Sequence, residues 1–358
     1  MWEALYCPEY LADLEYICHC EAIDWNRLQG KTLLLSGATG QIGSCLVDAI
    51  MQKNNTESLN CHIIGLTRDA DKAASRFPQW KNTAQLHFVA CDVTCPDNDL
   101  WQLQADYILH LASNTHPIAY ATDPIGTIKT NLWGTDNMLK LASDNPGSRF
   151  LLASSNEIYG ENRGDTDYFE EDYCGYINCN TLRAGYPESK RCAEALCQAY
   201  QKQFGLCILI ARLTRTYGPT LLDSDSKAMT QFLRNSVRGE DIVLKSKGDQ
   251  MYSYTYVADA VTGLLCILTK GQDGEAYNIA EPKFDKNLRE IAELIAYNCG
   301  RKVCFDLPGK EEAAGFSKVT KARLSNKKIQ SLGWGADYSI EKGISRTLQV
   351  MKMFNCNR

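Results

Sequence analysis

Short apolar runs recur along the first two thirds of the chain, and most are separated by a segment with helical patterning. Thr32 to Leu35, Cys61 to Leu66, Leu86 to Cys91, Tyr107 to Leu111, Phe150 to Ala153 and Leu206 to Ala211 are nearly continuous in hydrophobic character. Runs of this length without polar alternation predict strands covered on both faces, as in a parallel sheet. Ile42 to Met51, Thr127 to Ala142 and Tyr186 to Phe204 instead space their apolar residues three or four apart, which predicts helices. Strand and helix alternate, so the expected class is α/β: a doubly wound parallel sheet with helices on both faces.

The pattern loosens after Arg212. Long polar stretches such as TRTYGPTLLDSDSK and KSKGDQMYSYTY separate short helical segments over Met229 to Val237, Val257 to Thr269 and Asn287 to Ala296. This predicts a smaller α+β lobe over residues 213–358, with about 253–270 passing back to the first domain, 31–212. Residues 1–30 read as a helical packing arm, with Leu11, Leu14, Ile17 and Ile23 available for one face.

The first predicted strand runs into three glycines, Gly37, Gly40 and Gly43, in KTLLLSGATGQIG, and then into the first helix. Glycines permit a tight turn and a close backbone approach, and a helix N-terminus offers free N–H groups to a pyrophosphate. Strand, turn and helix together open a Rossmann-type dinucleotide-binding domain, although the spacing is Gly-x-x-Gly-x-x-Gly rather than Gly-x-Gly-x-x-Gly. The second strand ends in Leu66-Thr67-Arg68, where such folds often carry an acid for the ribose; here the nearest is Asp69. Arg68 therefore favours NADP over NAD, unless it merely stacks on adenine or faces solvent. Asp92, closing the third strand, either accepts from the adenine amino group or caps the segment after it.

Composition narrows the classes. The 358 residues suffice for a large core, and the formal net charge of −5 gives no basic footprint for nucleic acid. No run of about 18 apolar residues predicts a membrane span. The acidic N-terminus does not read as a secretory signal. Sixteen cysteines are scattered without a Cys-x-x-Cys pair, so reduced, mostly buried thiols in a cytoplasmic protein are expected, with no metal site at Cys18-His19-Cys20.

The sharpest chemical signal is Tyr186-Pro-Glu-Ser-Lys190. Tyrosine and lysine four apart share a helix face, and an ammonium beside a phenol is expected to lower the phenol pKa. Such a tyrosine can take a hydroxyl proton while hydride leaves the same carbon for a nicotinamide. Ser155, at a strand end, is positioned to hydrogen-bond the reacting oxygen. Without these partners the pair would be an ordinary exposed helix pair.

SGATGQIG, HLAS at 110–113, SSNEIYG at 154–160, YPESK and TYGP at 216–219 together resemble the extended short-chain dehydrogenases/reductases, the nucleotide-sugar epimerases, dehydratases and decarboxylases. PIGTIKTNLWGTDNMLKLA and NTLRAGYPESKRCAEAL are similar to UDP-glucuronate decarboxylases, which carry an arginine three residues before the tyrosine, as Arg183 stands here. The resemblance covers roughly residues 31 to 350. It implies tightly bound NAD or NADP, held by Gly37, Thr39, Gly40, Gln41, Ile42, Gly43, Arg68, Asp92, Val93, Leu111, Ala112, Ser113 and Lys190. It implies that Tyr186, with Lys190 and Ser155, oxidises the sugar C4 hydroxyl of a nucleotide-sugar substrate. The 4-ketone then acidifies C5 or releases a C5 carboxylate as carbon dioxide.

Departures from the family shape the reading. Dehydratases place an Asp-Glu pair after the Ser/Thr; here it is Asn156-Glu157, and an amide is no general acid. Glu157 remains as a base, or as a group that orders substrate or water. Relatives grip the diphosphate with an arginine where this chain has Tyr252, and decarboxylases usually have asparagine where it has Arg215. Arg215, Arg234 or Arg323 would have to supply the missing charge. Thr115 and His116 are expected to line the sugar site, Thr115 as a substrate contact and His116 as a loop residue. The expected activity is NDP-hexuronate decarboxylation, with epimerisation or 4,6-dehydration as the alternative. A non-catalytic NADP-binding regulator would not need the phenol. The resemblance also implies a homodimer packed through the Tyr186 helix, where Cys192, Ala193, Ala195, Leu196 and Ala199 offer small and apolar faces.

Overall fold

The computed structural model describes residues 2–97, 99–115, 117–306 and 321–356. Seven parallel strands form the central sheet: β1 (Thr32–Ser36), β2 (His62–Thr67), β3 (Leu86–Ala90), β4 (Tyr107–His110), β5 (Arg149–Ser155), β6 (Cys207–Leu213) and, further along, Ala276–Ile279. The chain begins in the middle of the sheet. It steps outward through β2 and β3, then returns past β1 to lay down β4, β5, β6 and Ala276–Ile279 on the other side. The order reverses between β1 and β4, so the crevice at their carboxyl ends is where a ligand fits an open α/β sheet.

Strand residues alternate between two apolar layers. Leu33, Leu35, Leu109, Leu151 and Leu209 face one layer. Leu34, Ile108, Leu152, Ile208 and Ile210 face the other, against Met138, Leu139, Ala193 and Cys197. Each such fully buried aliphatic side chain contributes about 1.5–3 kcal/mol relative to exposure. Ala193 is therefore part of the subunit's own core, not a free face of its helix. The helices that carry these layers are α1 (Pro8–Cys18), α2 (Gln41–Glu57), α3 (Ala70–Arg76), α4 (Pro117–Thr122), α5 (Pro124–Ser143), α6 (Gly185–Phe204), α7 (Ala228–Val237), α8 (Val257–Lys270) and α9 (Leu288–Cys299). The α5 start is fixed by Pro124 at the first helical position and by Asp123, whose side chain accepts from the Gly126 N–H at 2.9 Å.

Ala276–Ile279, the seventh strand, lay outside the expected strands. It is short, and its Asn278 breaks the apolar run that signals a covered strand. That asparagine is fully buried because its amide accepts from the Tyr159 hydroxyl and donates to the carbonyls of Phe169 and Ser325.

The N-terminal arm is built into the core. Tyr6 and Tyr10 donate to the fully buried Asp48 at 2.6 and 2.7 Å. Asp13, on α1, accepts from Tyr256 and Tyr338 and pairs with Arg346 of the C-terminal helix Ile340–Cys356 at 2.7 Å. Leu14, Ile17 and Ile23 are buried as the arm's spacing predicts, but Leu11 is exposed. The expectation of mostly buried thiols holds only in part: seven of fifteen cysteines are buried, among them Cys45, Cys61, Cys197 and Cys266, whereas Cys95, Cys174, Cys179, Cys192 and Cys304 are exposed. No helix among the described residues is long and apolar enough to cross a membrane.

In the second lobe, β7 (Arg215–Tyr217) pairs in parallel with β10 (Tyr254–Tyr256), while β8 (Ile242–Leu244) and β9 (Met251–Tyr252) extend small sheets. β7 follows the end of β6 after one residue, so the β7–β10 ribbon starts at the carboxyl end of the central sheet.

Candidate active site

The glycine turn closes against β4. Gly37 has φ +74°, and a Cβ there would lie 2.8 Å from the Ala112 nitrogen; at Gly43 it would lie 2.2 Å from the Gly37 carbonyl oxygen. Only glycine fits these two positions. Gly40 is the N-cap of α2, and no side chain takes the helix's first N–H groups. The Gln41 Nε2 is buried with no partner among the described residues. An open helix N-terminus over a glycine cradle fits the pyrophosphate of a dinucleotide. Thr39, Gln41 and Ile42 stand on this turn, half-exposed.

The β4 end completes that wall. Leu111, Ala112 and Ser113 are half-buried there, and the Ser113 hydroxyl donates to Asn131 at 2.7 Å. Asn131 in turn donates to Ser189 of α6 at 2.9 Å. His110 shares a 2.7 Å hydrogen bond with Ser36, and burial, helped by Lys190, pushes its pKa down to about 3. It is therefore neutral at ordinary pH. Val93 is buried, and its carbonyl accepts from Asn137 at 2.9 Å. Asp92 is exposed, and its Oδ1 accepts from both the N–H and the hydroxyl of Thr94, so one oxygen serves a local turn. Arg68 is exposed at the end of β2.

Tyr186 and Lys190 lie one turn apart on α6, and both are buried. The Ser155 and Ser113 hydroxyls lie near enough to the phenol to favour its ionised form, an influence smaller than that of burial. Lys190 Nζ donates to the Ala153 carbonyl at 2.8 Å, and burial pushes its pKa down to about 8. The expected lowering of the phenol pKa is not found. Burial, and next the charge of Glu157, push Tyr186 above the ordinary tyrosine range. The physical reason is burial first, which disfavours the phenolate; the Lys190 ammonium is spent on a β5 carbonyl, and the Glu157 carboxylate adds to the rise.

Ser155 ends β5 and accepts from the Glu157 N–H at 3.2 Å, which turns the chain so that Glu157 enters the site. Arg183 Nη2 donates to both Glu157 oxygens at 2.6 Å. Tyr120, of α4, packs its ring 4.9 Å from that of Tyr186 and lies 4.8 Å beneath the Arg183 guanidinium. Asn156 is buried beside Ser155.

Across the cleft, the Arg215 guanidinium sits 3.4 Å over the ring of Tyr252, itself buried. Arg183 and Tyr186 both pack on the Tyr120 ring, which holds the Arg183–Glu157 pair beside the phenol, and the charges of that pair bear on Tyr252 as well. Arg234 and Arg323 are engaged elsewhere. Arg234 donates to the carbonyls of Asp225 and Leu222, and Arg323 pairs with Asp285 at 2.8 Å and donates to Tyr168. Thr115 is exposed, and His116 lies outside the described residues. Tyr120, His110, Asn131 and Ser189 were missed as site residues. His110, Asn131 and Ser189 lie inside the quoted stretches without having been singled out, and only packing brings Tyr120 here.

Comparison with known proteins agrees with this geometry. The sequence model of the NAD dependent epimerase/dehydratase family matches residues 33–280. UDP-glucuronic acid decarboxylase 1 of Xenopus tropicalis is 30% identical over 325 residues, covering 90% of this chain and 72% of that protein. UDP-glucuronic acid decarboxylase 3 of Arabidopsis thaliana is 32% identical over 312 residues, covering 87% of this chain and 86% of that one. The fold is similar to that of a dTDP-glucose 4,6-dehydratase from Streptomyces venezuelae with NAD bound, with TM-score 0.77, 24% identity and coverage of 90% and 97%. It is also similar to that of a UDP-glucuronic acid 4-epimerase from Bacillus cereus in complex with UDP-glucuronic acid and NAD, with TM-score 0.76, 21% identity and coverage of 90% and 99%. With glycine cradle, buried Tyr186–Lys190 pair and family match in agreement, the chain belongs to the NAD dependent epimerase/dehydratase family.

Proposed function

We propose that this protein is a nucleotide-sugar decarboxylase that acts on an NDP-hexuronate of the UDP-glucuronate kind through oxidation at sugar C4. The observation that carries this reading is the arrangement of Tyr186, Ser155 and the Arg183–Glu157 pair around one space, with an amide at Asn156 where an acid would be needed for dehydration. The similarity to two UDP-glucuronic acid decarboxylases over most of the chain supports the same choice.

A bound nicotinamide supplies a hydride acceptor beside the sugar C4 and, when oxidised, a positive charge that favours the phenolate. Tyr186 Oη takes the C4 hydroxyl proton, and Ser155 Oγ orients that oxygen. Lys190 adds positive charge behind the phenol, on the side of Ala153. Once C4 is a ketone, the electron pair of the C5–carboxylate bond moves toward the C4 oxygen as carbon dioxide leaves. Ser155 and protonated Tyr186 stabilise that oxygen. A proton from water, ordered by the Glu157 carboxylate that Arg183 holds, replaces the carboxylate at C5.

For the cofactor we propose NADP as the finer reading of NAD(P). Arg68 is exposed at the end of β2, with no acid before Asp69. The structural relatives named above carry NAD. A homodimer through α5 and α6 is proposed on the exposed Ile125 and Trp133 of α5 and the exposed Cys192, Ala195 and Ala199 of α6. Sedimentation as a monomer would count against it. A cytoplasmic location is proposed on the unpaired state of fifteen of the sixteen cysteines.

Mass spectrometry of the purified protein with UDP-glucuronate tests the reaction, and the cofactor released on denaturation tests the rest. Carbon dioxide and a UDP-pentose or 4-keto pentose are expected. A UDP-hexuronate epimer without carbon dioxide would replace decarboxylation by epimerisation. Release of NAD alone would overturn the NADP reading.

A further inference from the structure

We propose that Arg215, Tyr252 and Tyr254 form an anion subsite, which takes charged oxygens of the nucleotide-sugar substrate at the second-lobe side of the cleft. Arg183 is neutralised by Glu157, Arg323 by Asp285, and Arg234 is spent on loop carbonyls. Arg215 differs from all three in having neither a carboxylate nor a carbonyl partner among the described residues. Its Nη1 is buried without a hydrogen bond, as the Arg183 Nη1 also is. A buried guanidinium N–H left unpaired is costly and calls for a partner.

The stack explains how the charge is aimed. Arg215 lies flat on the Tyr252 ring at 3.4 Å, so one face is covered and its edge N–H groups remain for an anion. A second orphan points to the same place. The Tyr254 hydroxyl is also buried and unpartnered, and Tyr254 is 2% exposed. In the parallel β7–β10 ribbon Tyr254 is registered with Arg215, so the two side chains leave the ribbon on the same face. Two neighbouring donors without acceptors, beside a cleft whose other arginine is already neutralised, suit the oxygens of a diphosphate or a carboxylate. The subsite deepens the proposed function and rests on it only for the class of substrate.

The test is calorimetric binding to the purified full chain. The ligands are UDP, CDP, GDP, dTDP, UDP-glucose and UDP-glucuronate. The proteins are wild type, Arg215→Ala, Arg215→Lys and Tyr254→Phe, each checked by thermal melting. Arg215→Ala is expected to raise Kd about 10- to 100-fold, with partial recovery in Arg215→Lys and a smaller loss in Tyr254→Phe. An equal loss for UDP and UDP-glucuronate identifies the diphosphate as the bound anion. A loss confined to UDP-glucuronate identifies the sugar carboxylate. Unchanged affinity for every ligand in folded Arg215→Ala overturns the subsite, as does absence of binding to wild type across the whole set. If Arg215→Ala fails to fold, unchanged affinities in both Arg215→Lys and Tyr254→Phe overturn it. Carbon dioxide release is read separately: Arg215-dependent binding without decarboxylation keeps the subsite and rejects the reaction.

Discussion

Arg183 Nη2 lies 2.6 Å from both carboxylate oxygens of Glu157, twenty-six residues away. This pairing neutralises the strongest negative charge near Tyr186 and fixes where Glu157 points. Arg183 is also held from below by the Tyr120 ring. Glu157→Gln and Arg183→Ala are each expected to lower kcat/KM for UDP-glucuronate by about 10²–10⁴-fold. Because the two act as a unit, the double variant should lose far less than the product of the single losses. Full additivity in a kinetic double-mutant cycle would show that the pairing has no catalytic meaning.

Tyr186→Phe removes the proposed proton acceptor while leaving the ring against Tyr120. Turnover should fall by about 10²–10⁴-fold with cofactor still bound. The readout is carbon dioxide release alongside the absorbance of the bound nicotinamide. Wild-type turnover in this variant would reject the phenol as the base.

Lys190 gives a pH signature. Its folded pKa of about 8 lies below the usual 10.5 because burial disfavours the ammonium. Between these values the unfolded chain binds more protons than the folded one, so stability rises with pH across that window. The burial penalty is fully present below pH 8 and is relieved toward 10.5. Relative to Lys190→Met, the cofactor-free wild type should gain about 3 kcal/mol between pH 7.5 and 10.5. Urea unfolding of both proteins at several pH values checks this. Parallel curves would place the lysine pKa near its ordinary value.

Gly37→Ala forces a side chain into φ +74° and against the Ala112 backbone at 2.8 Å. Such strain costs about 1–3 kcal/mol and displaces the turn from the N-terminus of α2. Weaker cofactor retention on gel filtration and a lower melting temperature are expected together. A variant that keeps both would mean that the turn has room the geometry does not provide.

Asp13→Ala leaves Tyr256, Tyr338 and Arg346 without their shared acceptor. Removing one partner of a buried ion pair costs about 3–5 kcal/mol, and here it also detaches α1 from the C-terminal helix. Chemical denaturation measures it. A loss below about 1 kcal/mol would mean that the N-terminal arm is dispensable to the core.

Much of the first half was legible because its signals are local. β1, Gly37, Gly40, Gly43 and α2 follow one another without a gap, and the periodicity of α6 carries Tyr186 and Lys190 to the same face. The reading faltered where a residue's state depends on distant neighbours. Ala276–Ile279 was not among the expected strands: Asn278 interrupts its apolar run, and the partners that let it be buried come from Tyr159, Phe169 and Ser325. The Tyr186 pKa was expected to fall because Lys190 is near in sequence, but the phenol is buried, the ammonium is bound at Ala153 and the Glu157 charge opposes ionisation.

By itself the sequence determined the alternating α/β layout, the glycine cradle and the residue types available for proton transfer, since covalent spacing and hydrophobic period act over one or two turns of chain. Tertiary structure alone decided which charges meet. It set Arg183 on Glu157 and Arg323 on Asp285, and it laid Arg215 on Tyr252 with an N–H to spare. Burial and Coulomb interaction depend on distance through space, and residues far apart in the chain become neighbours only when the whole chain has folded.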